Sequence, residues 1–379
     1  MLYVGIDLHR QWSQLAVVDG DGELVRSRRV RSRPDEMWQV FGELPKDEPL
    51  EAAFEATFGY GWLADLLADA GVPAHMAHPL ATKAIAAGRI KNDKVDSAML
   101  AQLLRANLLP EAWIAPLEAR EARRLVRTRA SLVRMRSRLK SQIHAVLADF
   151  ALRPEASISI PTPRSQAPAL FSKAGRRWLA EQVLPEASRQ RIEISLRVID
   201  GLDGEIREVS QAMRQRFADD ERVRRLLPIP GIGLFTAATV VGEIWDVRRF
   251  PSPRRLASWA GLTPKEHSSG DHHHLGHISK QGSRWVRWVL VEAATNHAMR
   301  HSGLRELFQR VRRGKQERAQ LAHVAVAHRL LTLCYYALRD EGGCRAFPVR
   351  RGPRPLPGRG ALVLRHGLRS FRTDGRRTD

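Results

Sequence analysis

The sequence has few cysteines and no long apolar segment. Its 379 residues include only two cysteines, Cys334 and Cys344. Two thiols cannot form the disulfide framework of a small secreted domain or a four-ligand zinc site. No apolar run reaches about 18 residues, and no charged start is followed by an apolar core and a cleavage site. These absences argue against secretion and membrane insertion, so we expect a reduced, intracellular setting.

Acidic residues are scarce relative to basic ones. The chain has 41 aspartates and glutamates against 62 lysines and arginines, which gives a formal net charge of +21. An excess of this size is typical of proteins that neutralise phosphates. Lysine is also rare, and a GC-rich coding sequence would by itself favour arginine. We therefore take nucleic acid as the default partner.

Strand and helix patterns alternate in residues 1–112. A β-meander is predicted around the turn Asp19-Gly20-Asp21-Gly22, followed by further strands and by helices that carry apolar residues at helical spacing. The predicted strands are 2–6, 14–18, 23–30, 52–55 and 73–77, and the predicted helices are 60–70 and 93–106. This order predicts an α/β layered domain.

Residues 113–220 favour two long helices, over 116–150 and 185–217, separated by a break rich in proline and serine at 154–168. In the second helix, apolar residues recur in heptad order from Ile192 to Met213. The pair could form an antiparallel hairpin or the arm of a dimer, and we expect a dimer built on these heptads. The first helix is rich in arginine, and we expect Arg127, Arg134 and Lys140 to contact phosphates.

Residues 221–341 predict a third, mostly helical domain, followed by a basic tail, 342–379, that we expect to be disordered. Near its start, Pro230-Gly-Ile-Gly233 resembles the turn of a helix-hairpin-helix element. In that reading the backbone N–H groups at Gly231 and Gly233 bind a DNA phosphate. A tight turn between packed helices is the alternative.

Four acidic residues of the first domain are expected to converge. Asp7 and Glu55 end predicted strands, and strand ends meet at one edge of a sheet. Asp93 and Asp96 are three residues apart at a helix start and share a face. Such a group repels itself unless a divalent cation neutralises it, which predicts Mg²⁺ or Mn²⁺. Taken singly, the helix acids could merely complement a helix N-terminus, and Glu55 could be a surface residue.

Two blocks of the sequence resemble one family. The first holds Tyr3-Val-Gly-Ile-Asp7, Phe54-Glu-Ala-Thr-Phe-Gly-Tyr60 and Lys91-Asn-Asp-Lys-Val-Asp-Ser-Ala98, and the second holds Gly261-Leu-Thr-Pro-Lys-Glu-His-Ser-Ser-Gly270 and Gly276-His-Ile-Ser-Lys-Gln-Gly282. Both resemble the DEDD insertion-sequence transposases, insertion sequence family 110, which are related to the pilin-gene invertases.

The resemblance implies a ribonuclease H-like (RuvC-like) N-terminal domain whose four acids bind metal. It also implies that Ser269, which directly precedes the glycine, is the nucleophile that breaks and rejoins donor and target DNA. A bridge RNA would select the DNA, and the metal and serine sites would join across protomers of a homodimer or homotetramer. A bacterial or archaeal cytoplasm or nucleoid is the implied location.

The chemistry around Ser269 is consistent with attack on phosphorus. The cations Lys265, Lys280, Arg284 and Arg287 lie near it in sequence and could relieve charge on the phosphate. Ser268 is the adjacent alternative nucleophile, and Ser-Ser-Gly could also be only a turn in a loop. The general base stays open between His267 and the metal-bound carboxylates. A zinc site at residues 271–274 with His277 is disfavoured, because zinc requires a fixed ligand geometry.

Three other functions compete with a strand-exchange enzyme. A metal-dependent, structure-selective DNA nuclease would need the acids but no serine. A noncatalytic nucleic-acid-binding protein has no use for four converging acids, which would weaken phosphate binding. An actin-like sugar kinase also opens with a strand ending in Gly-x-Asp, but further phosphate loops are not evident in the sequence.

Overall fold

A computed structural model describes residues 1–45, 47–85, 93–153, 170–269, 272–296 and 300–340 of the chain. The chain divides into two compact units. The first contains Met1–Asp220 and Leu234–Asp246, and the second contains Glu221–Gly233 and the chain from Val247 onward. The first unit thus joins the predicted regions 1–112 and 113–220, and it includes residues 234–246, which we expected in the C-terminal domain. The proline- and serine-rich break 154–168 and the basic tail 342–379 lie outside the described residues.

The first unit is built on a six-stranded sheet of order β3-β2-β1-β4-β5-β6. β1 pairs antiparallel with β2 and parallel with β4, so the expected meander is followed by parallel strands. The strands are β1 Leu2–Leu8, β2 Trp12–Val18, β3 Leu24–Arg31, β4 Leu50–Glu55, β5 Ala74–Ala77 and β6 Glu111–Ala112. The helices of this α/β layer are α1 Pro34–Gly42, α2 Gly61–Asp69, α3 Pro79–Ile85 and α4 Asp93–Arg105.

The two faces of the sheet pack against different helices. Strand side chains alternate between faces, and Val4, Ile6 and Phe54 belong to a buried core that includes residues of α1 and α2. On the other face, α4 lies directly on β1, where Gly5 leaves room for it. A Cβ added at Gly5 would come within 1.9 Å of the main-chain oxygen of Ser97. This close approach brings the start of α4 to the carboxyl end of β1.

Helix α1 was not predicted, although its signals are present. Pro34 occupies its first turn, and Met37, Val40 and Phe41 are buried at helical spacing. Its buried residues complete the core beneath the meander. The predicted strands and helices of residues 1–112 are confirmed within a few residues at their ends, whereas α3 and β6, like α1, were not predicted.

The two long helices form an antiparallel hairpin. They are α5 Leu117–Asp149 and α7 Glu186–Arg216, with the short α6 Lys173–Glu181 before the second. Arg129 donates to Ser210 at 2.8 Å and Arg136 to Asp203 at 2.5 Å, so residues early in α5 meet residues late in α7. The heptad residues of α7 are buried within this chain: Ile192, Ile199, Leu202, Ile206 and Met213. The predicted dimer seam on these heptads is therefore wrong, because α5 and its neighbours already cover them.

The second unit is mostly helical. Its elements are α8 Glu221–Leu226, α10 Pro253–Trp259, β7 Pro264–Ser269, β8 His272–Ile278, α11 Arg284–Asn296, α12 Ser302–Arg312 and α13 Ala319–Arg339. The helix between α8 and α10 in sequence, α9 Leu234–Ile244, belongs to the first unit. Residues 284–339 contain three of these helices, and α12 is followed by Arg313 in a left-handed conformation (φ 52°) before Gly314.

Helix α13 forms the centre of the second unit. Within the described residues, the segment Gln316–Arg339 is the one candidate long and apolar enough to cross a membrane by length and composition. Half of its most apolar window is buried inside the protein, and Val326, Leu330 and Leu331 are fully buried. Tyr335 donates to the main-chain oxygen of Phe250 at 3.1 Å. These features are those of a core helix.

Candidate metal centre

Asp7 and Asp93 meet at the carboxyl edge of the sheet, as predicted. His9, just beyond β1, lies between them: its Nε2 is 3.1 Å from Oδ2 of Asp7 and 3.8 Å from Oδ1 of Asp93. One ligand atom from each of the three residues lies within 4.8 Å of the others. A single cation could therefore contact all three side chains.

The charge of Asp96 acts on Asp7 as well. The pKa of Asp7 is raised, first by partial burial of its carboxyl group and then by the charges of Asp93 and Asp96. His9 acts in the opposite direction through its charge and its hydrogen bond. Asp93 and Asp96 share the first turn of α4, so both acids of the predicted helix face act on Asp7.

Glu55 lies on the neighbouring strand and on the same face. It follows Phe54, which pairs with Ile6 in the parallel register of β1 and β4. Its strand neighbour Ala53 packs beneath Leu100 of α4, and alternation returns Glu55 to that side of the sheet. Glu55 therefore lies at the same edge of the sheet as Asp7, whereas the group of ligand atoms within 4.8 Å contains, among the described residues, Asp7, His9 and Asp93.

These residues fit a hard divalent cation. Carboxylate oxygens are the ligands preferred by Mg²⁺ and Mn²⁺, whereas an imidazole suits softer metals better. Burial raises the pKa of Asp7 most, and the charges of Asp93 and Asp96 raise it further, whereas a bound cation would favour the charged carboxylate. With Mg²⁺, we expect His9 to hold the Asp7 carboxylate by a hydrogen bond rather than to act as a ligand.

Sequence reasoning missed His9. It lies outside the regular strand, and a single exposed histidine is ordinarily a surface residue. The available signal was its position two residues after Asp7, which returns its side chain to the same face if the strand direction continues. The main-chain N–H of His9 bonds to the Trp12 oxygen at 3.2 Å, which continues the pairing of β1 with β2 by one residue.

The predicted nucleophile is at the end of a strand rather than in a loop. Ser269 is the last residue of β7, and its backbone pairs with His272 of β8. Residues 272–274 belong to the neighbouring strand β8. The side chains of residues 267–275, which include Ser268, Ser269 and His267, lie outside the described part of the chain, as do residues 270 and 271.

Of the cations near Ser269 in sequence, Arg287 has a structural role. Its Nη1 donates to the main-chain oxygens of Ala260 at 2.8 Å and Gln281 at 2.7 Å. The guanidinium of Arg284 lies 5.0 Å from the ring centre of Trp285. Lys265 and Lys280 are exposed. Carbonyl oxygens therefore occupy Nη1 of Arg287, and phosphate binding by Arg287 stays a prediction.

Arg127 forms an ion pair that the sequence did not predict. Its guanidinium donates to both carboxylate oxygens of Glu243 in α9, at 2.7 and 2.9 Å, and the Glu243 side chain is only 3% exposed. Arg127 therefore ties α5 to α9, and its contact with phosphate stays a prediction. Arg134 is exposed, and the ammonium of Lys140 lies 4.7 Å from the ring centre of Phe171.

The turn at 227–233 joins helices that belong to different units. Gly231 adopts φ +86°, a conformation that side chains disfavour, and the N–H of Ile232 bonds to the oxygen of Ile229 at 3.0 Å. These features are those of a tight turn, and phosphate binding by Gly231 and Gly233 stays a prediction.

Comparison with known proteins matches both halves of the chain to one family. Residues 4–151 match the DEDD transposase domain of the IS110 family, and residues 223–309 match the family described as "Transposase IS116/IS110/IS902 family". The first match contains the four acids and the second contains Ser269. The two matched regions therefore cover the acid cluster and the predicted nucleophile in the expected order.

Several relatives are similar over most of the chain. A Pseudomonas aeruginosa protein named "Probable family 20 transposase" is 26% identical over 77% of this chain and 82% of its own. The transposase for insertion sequence element IS1111A of Coxiella burnetii is 24% identical over 77% and 76%. The pilin gene-inverting protein of Moraxella bovis is 30% identical over 32% of this chain and 38% of its own. With both family domains in order and a cluster of acids in the first, the chain belongs to the IS110/IS116/IS902 family of insertion-sequence transposases.

Proposed function

We propose that this transposase cuts and rejoins DNA strands with a Mg²⁺- or Mn²⁺-binding carboxylate cluster and a serine nucleophile. The observation that carries the proposal is the convergence of Asp7 and Asp93, with Asp96 close enough to raise the pKa of Asp7. The meander followed by parallel strands, with acids at the strand ends, supports a ribonuclease H-like first domain.

The residues would divide the reaction as follows. Asp7, Glu55, Asp93 and Asp96 would hold the cation, which when bound withdraws charge from a phosphoryl oxygen. Oγ of Ser269 forms a bond to phosphorus while a backbone P–O bond breaks, and the displaced DNA oxygen takes up a proton. The serine proton passes to a base, either His267 or one of the carboxylates.

A serine–phosphate ester explains rejoining without ATP. The ester retains the energy of the broken phosphodiester, so a hydroxyl of another strand can attack it and release the serine. Water as the nucleophile would discard that energy. The family resemblance further supports a bridge RNA as guide and a homodimer or homotetramer in which metal and serine come from different protomers.

A metal-dependent nuclease is the second candidate. One observation favours it: the acid cluster is assembled within the first unit alone. A noncatalytic binding protein is disfavoured, because clustered acids oppose phosphate binding.

Strand-transfer and adduct assays on matched variants test the proposal. Asp7→Asn should abolish both cleavage and rejoining, whereas Asp69→Asn, an equal charge change on the exposed end of α2, should leave them intact. Ser269→Ala should abolish the covalent protein–DNA adduct that denaturing gels detect with the wild type. Cleavage that persists in Ser269→Ala, without any adduct in the wild type, would identify a nuclease.

A further inference from the structure

A row of cationic and aromatic side chains continues from the acid cluster across the same face of the sheet. In the antiparallel registers, Asp7 is opposite Gln14, and Gln14 is opposite Arg29. Two residues before Gln14 on β2, Trp12 is opposite Arg31. Residues directly opposite each other in such pairs point to the same face. Asp7, Arg29, Trp12 and Arg31 therefore share one face at one end of the sheet.

Trp12 holds both arginines. The guanidinium carbon of Arg29 lies 5.3 Å from the ring centre of Trp12, and that of Arg31 lies 5.6 Å away. A cation–π contact uses the flat face of a guanidinium and leaves its N–H edge available for bidentate binding. Solvent reaches this face around Trp12, since Trp12 is 39% exposed and both arginines are exposed.

Neither arginine is strongly neutralised. Nε of Arg31 is 3.9 Å from Oε1 of Glu36, a long contact at the surface, and the main-chain N–H of Arg31 donates to the same carboxylate at 2.9 Å. For Arg29, the described part of the chain shows no ion pair. By contrast, Arg26 and Arg28 on the opposite face both contact Glu43, at 3.1 and 2.8 Å.

We propose that Arg29 and Arg31, positioned by Trp12, bind the phosphodiester backbone of the DNA strand that enters the metal centre. Neighbouring strands lie about 4.8 Å apart, so the backbone of Arg29, two strands away, is roughly 10 Å from that of Asp7. Phosphates advance by about 3.4 Å along one strand of duplex DNA. The bound phosphate is thus about three nucleotides from the bond at the metal. Fixing that phosphate orients the strand, so Trp12 is a positioning residue and the arginines are phosphate ligands. The role of the strand rests on the proposed function.

Salt-dependent binding of the full-length protein to duplex DNA without divalent cation tests the contact. Removing two phosphate contacts in Arg29→Gln/Arg31→Gln should lower the slope of log K against log salt by about 1.8. The matched control Arg26→Gln/Arg28→Gln makes the same charge change on the same strand but the opposite face, and should leave the slope nearly unchanged. Equal slopes for the wild type and the Arg29/Arg31 variant, or equal falls in both variants, would overturn the proposal.

Single neutral phosphates locate the contact. Replacing one phosphate by a methylphosphonate should weaken wild-type binding at a position about three nucleotides from the cleaved bond, and should have no further effect in Arg29→Gln. The assignment would be contradicted if the losses of affinity from the methylphosphonate and from Arg29→Gln were additive at every position. It would also be contradicted if the two losses were non-additive only with an RNA strand of the same sequence.

Trp12 has its own control. In Trp12→Ala, the methylphosphonate at that position should cost no further affinity, whereas in Trp12→Phe it should weaken binding as in the wild type. The control Trp38→Ala, which changes an exposed tryptophan on α1, should behave like the wild type. Because DNA binding is measured without metal, its result can be distinguished from the result of the activity assays that test the proposed function. A slope that falls although Asp7→Asn remains active refutes only the metal chemistry. An unchanged slope with inactive Asp7→Asn refutes only the phosphate contact.

Discussion

At the scale of residues, Asp7 is the acid of the cluster whose pKa is raised by its surroundings. Its raised pKa means that the folded protein binds a proton there more readily than an ordinary aspartate does. Charged Asp7 therefore destabilises the metal-free fold at pH values above the raised pKa. This penalty fades as the pH falls through the raised pKa and is absent below the ordinary value of 3.8.

Asp7→Asn should consequently raise the melting temperature of the metal-free protein at neutral pH, and the gain should disappear in acid. Added Mg²⁺ should stabilise the wild type by about 1.4 kcal/mol at ten times its dissociation constant and leave Asp7→Asn unchanged. Differential scanning calorimetry with EDTA or Mg²⁺ measures both effects. A melting temperature that drops in Asp7→Asn without metal would show that Asp7 has favourable partners instead.

Gly5 sets the distance between α4 and the sheet. The Cβ of Gly5→Ala would press on main-chain atoms of α4, 1.9 Å from the Ser97 oxygen and 2.6 Å from the Ala101 nitrogen, so the helix must shift. We expect a loss of about 1–3 kcal/mol in unfolding free energy, together with weaker stabilisation by Mg²⁺. Denaturant unfolding checks this against Gly42→Ala, where the added Cβ meets only open space. Matching stabilities for the two variants would show that α4 can move freely.

At the scale of elements, the contact between α5 and α9 depends on a largely buried ion pair. Arg127→Gln removes the bidentate partner of Glu243, whose side chain is 3% exposed, while that of Arg127 is 42% exposed. Because water reaches one partner, we expect a loss of about 2 kcal/mol, below the value for a fully buried pair. Arg138→Gln, on an exposed part of α5, should change stability by less than about 0.5 kcal/mol. Urea unfolding compares the two, and similar losses would mean that the pair contributes nothing.

Local patterns were sufficient for most elements but not for their partners. Strand alternation and the three-residue spacing of Asp93 and Asp96 predicted the acid cluster, because both depend on neighbours in sequence. The heptads of α7 have the same sequence pattern whether another chain or α5 covers them, and in the structure α5 packs against them. The pairing of Arg127 with Glu243 was not predicted because Glu243 is distant in sequence, and His9 was missed because it lies beyond the regular strand.

At the scale of the whole molecule, the acids and Ser269 belong to different units of the chain. If they combine across protomers, mixing Asp7→Asn with Ser269→Ala should restore part of the strand-transfer activity, since some mixed assemblies hold one intact site. The assay requires that mixed assemblies be shown by differently tagged chains. Inactive mixtures that contain such assemblies would place both halves of a site in one protomer.

The most direct test of the central claim is to locate a cation. Crystals of the protein soaked in Mn²⁺ and measured at the manganese absorption edge should show an anomalous peak between the carboxylates of Asp7 and Asp93, at about 2.0–2.2 Å from their oxygens as expected for a hard octahedral cation. Asp7→Asn crystals treated in the same way should lack the peak. Wild-type crystals with no anomalous density at this edge of the sheet, or with manganese bound only elsewhere, would contradict the account.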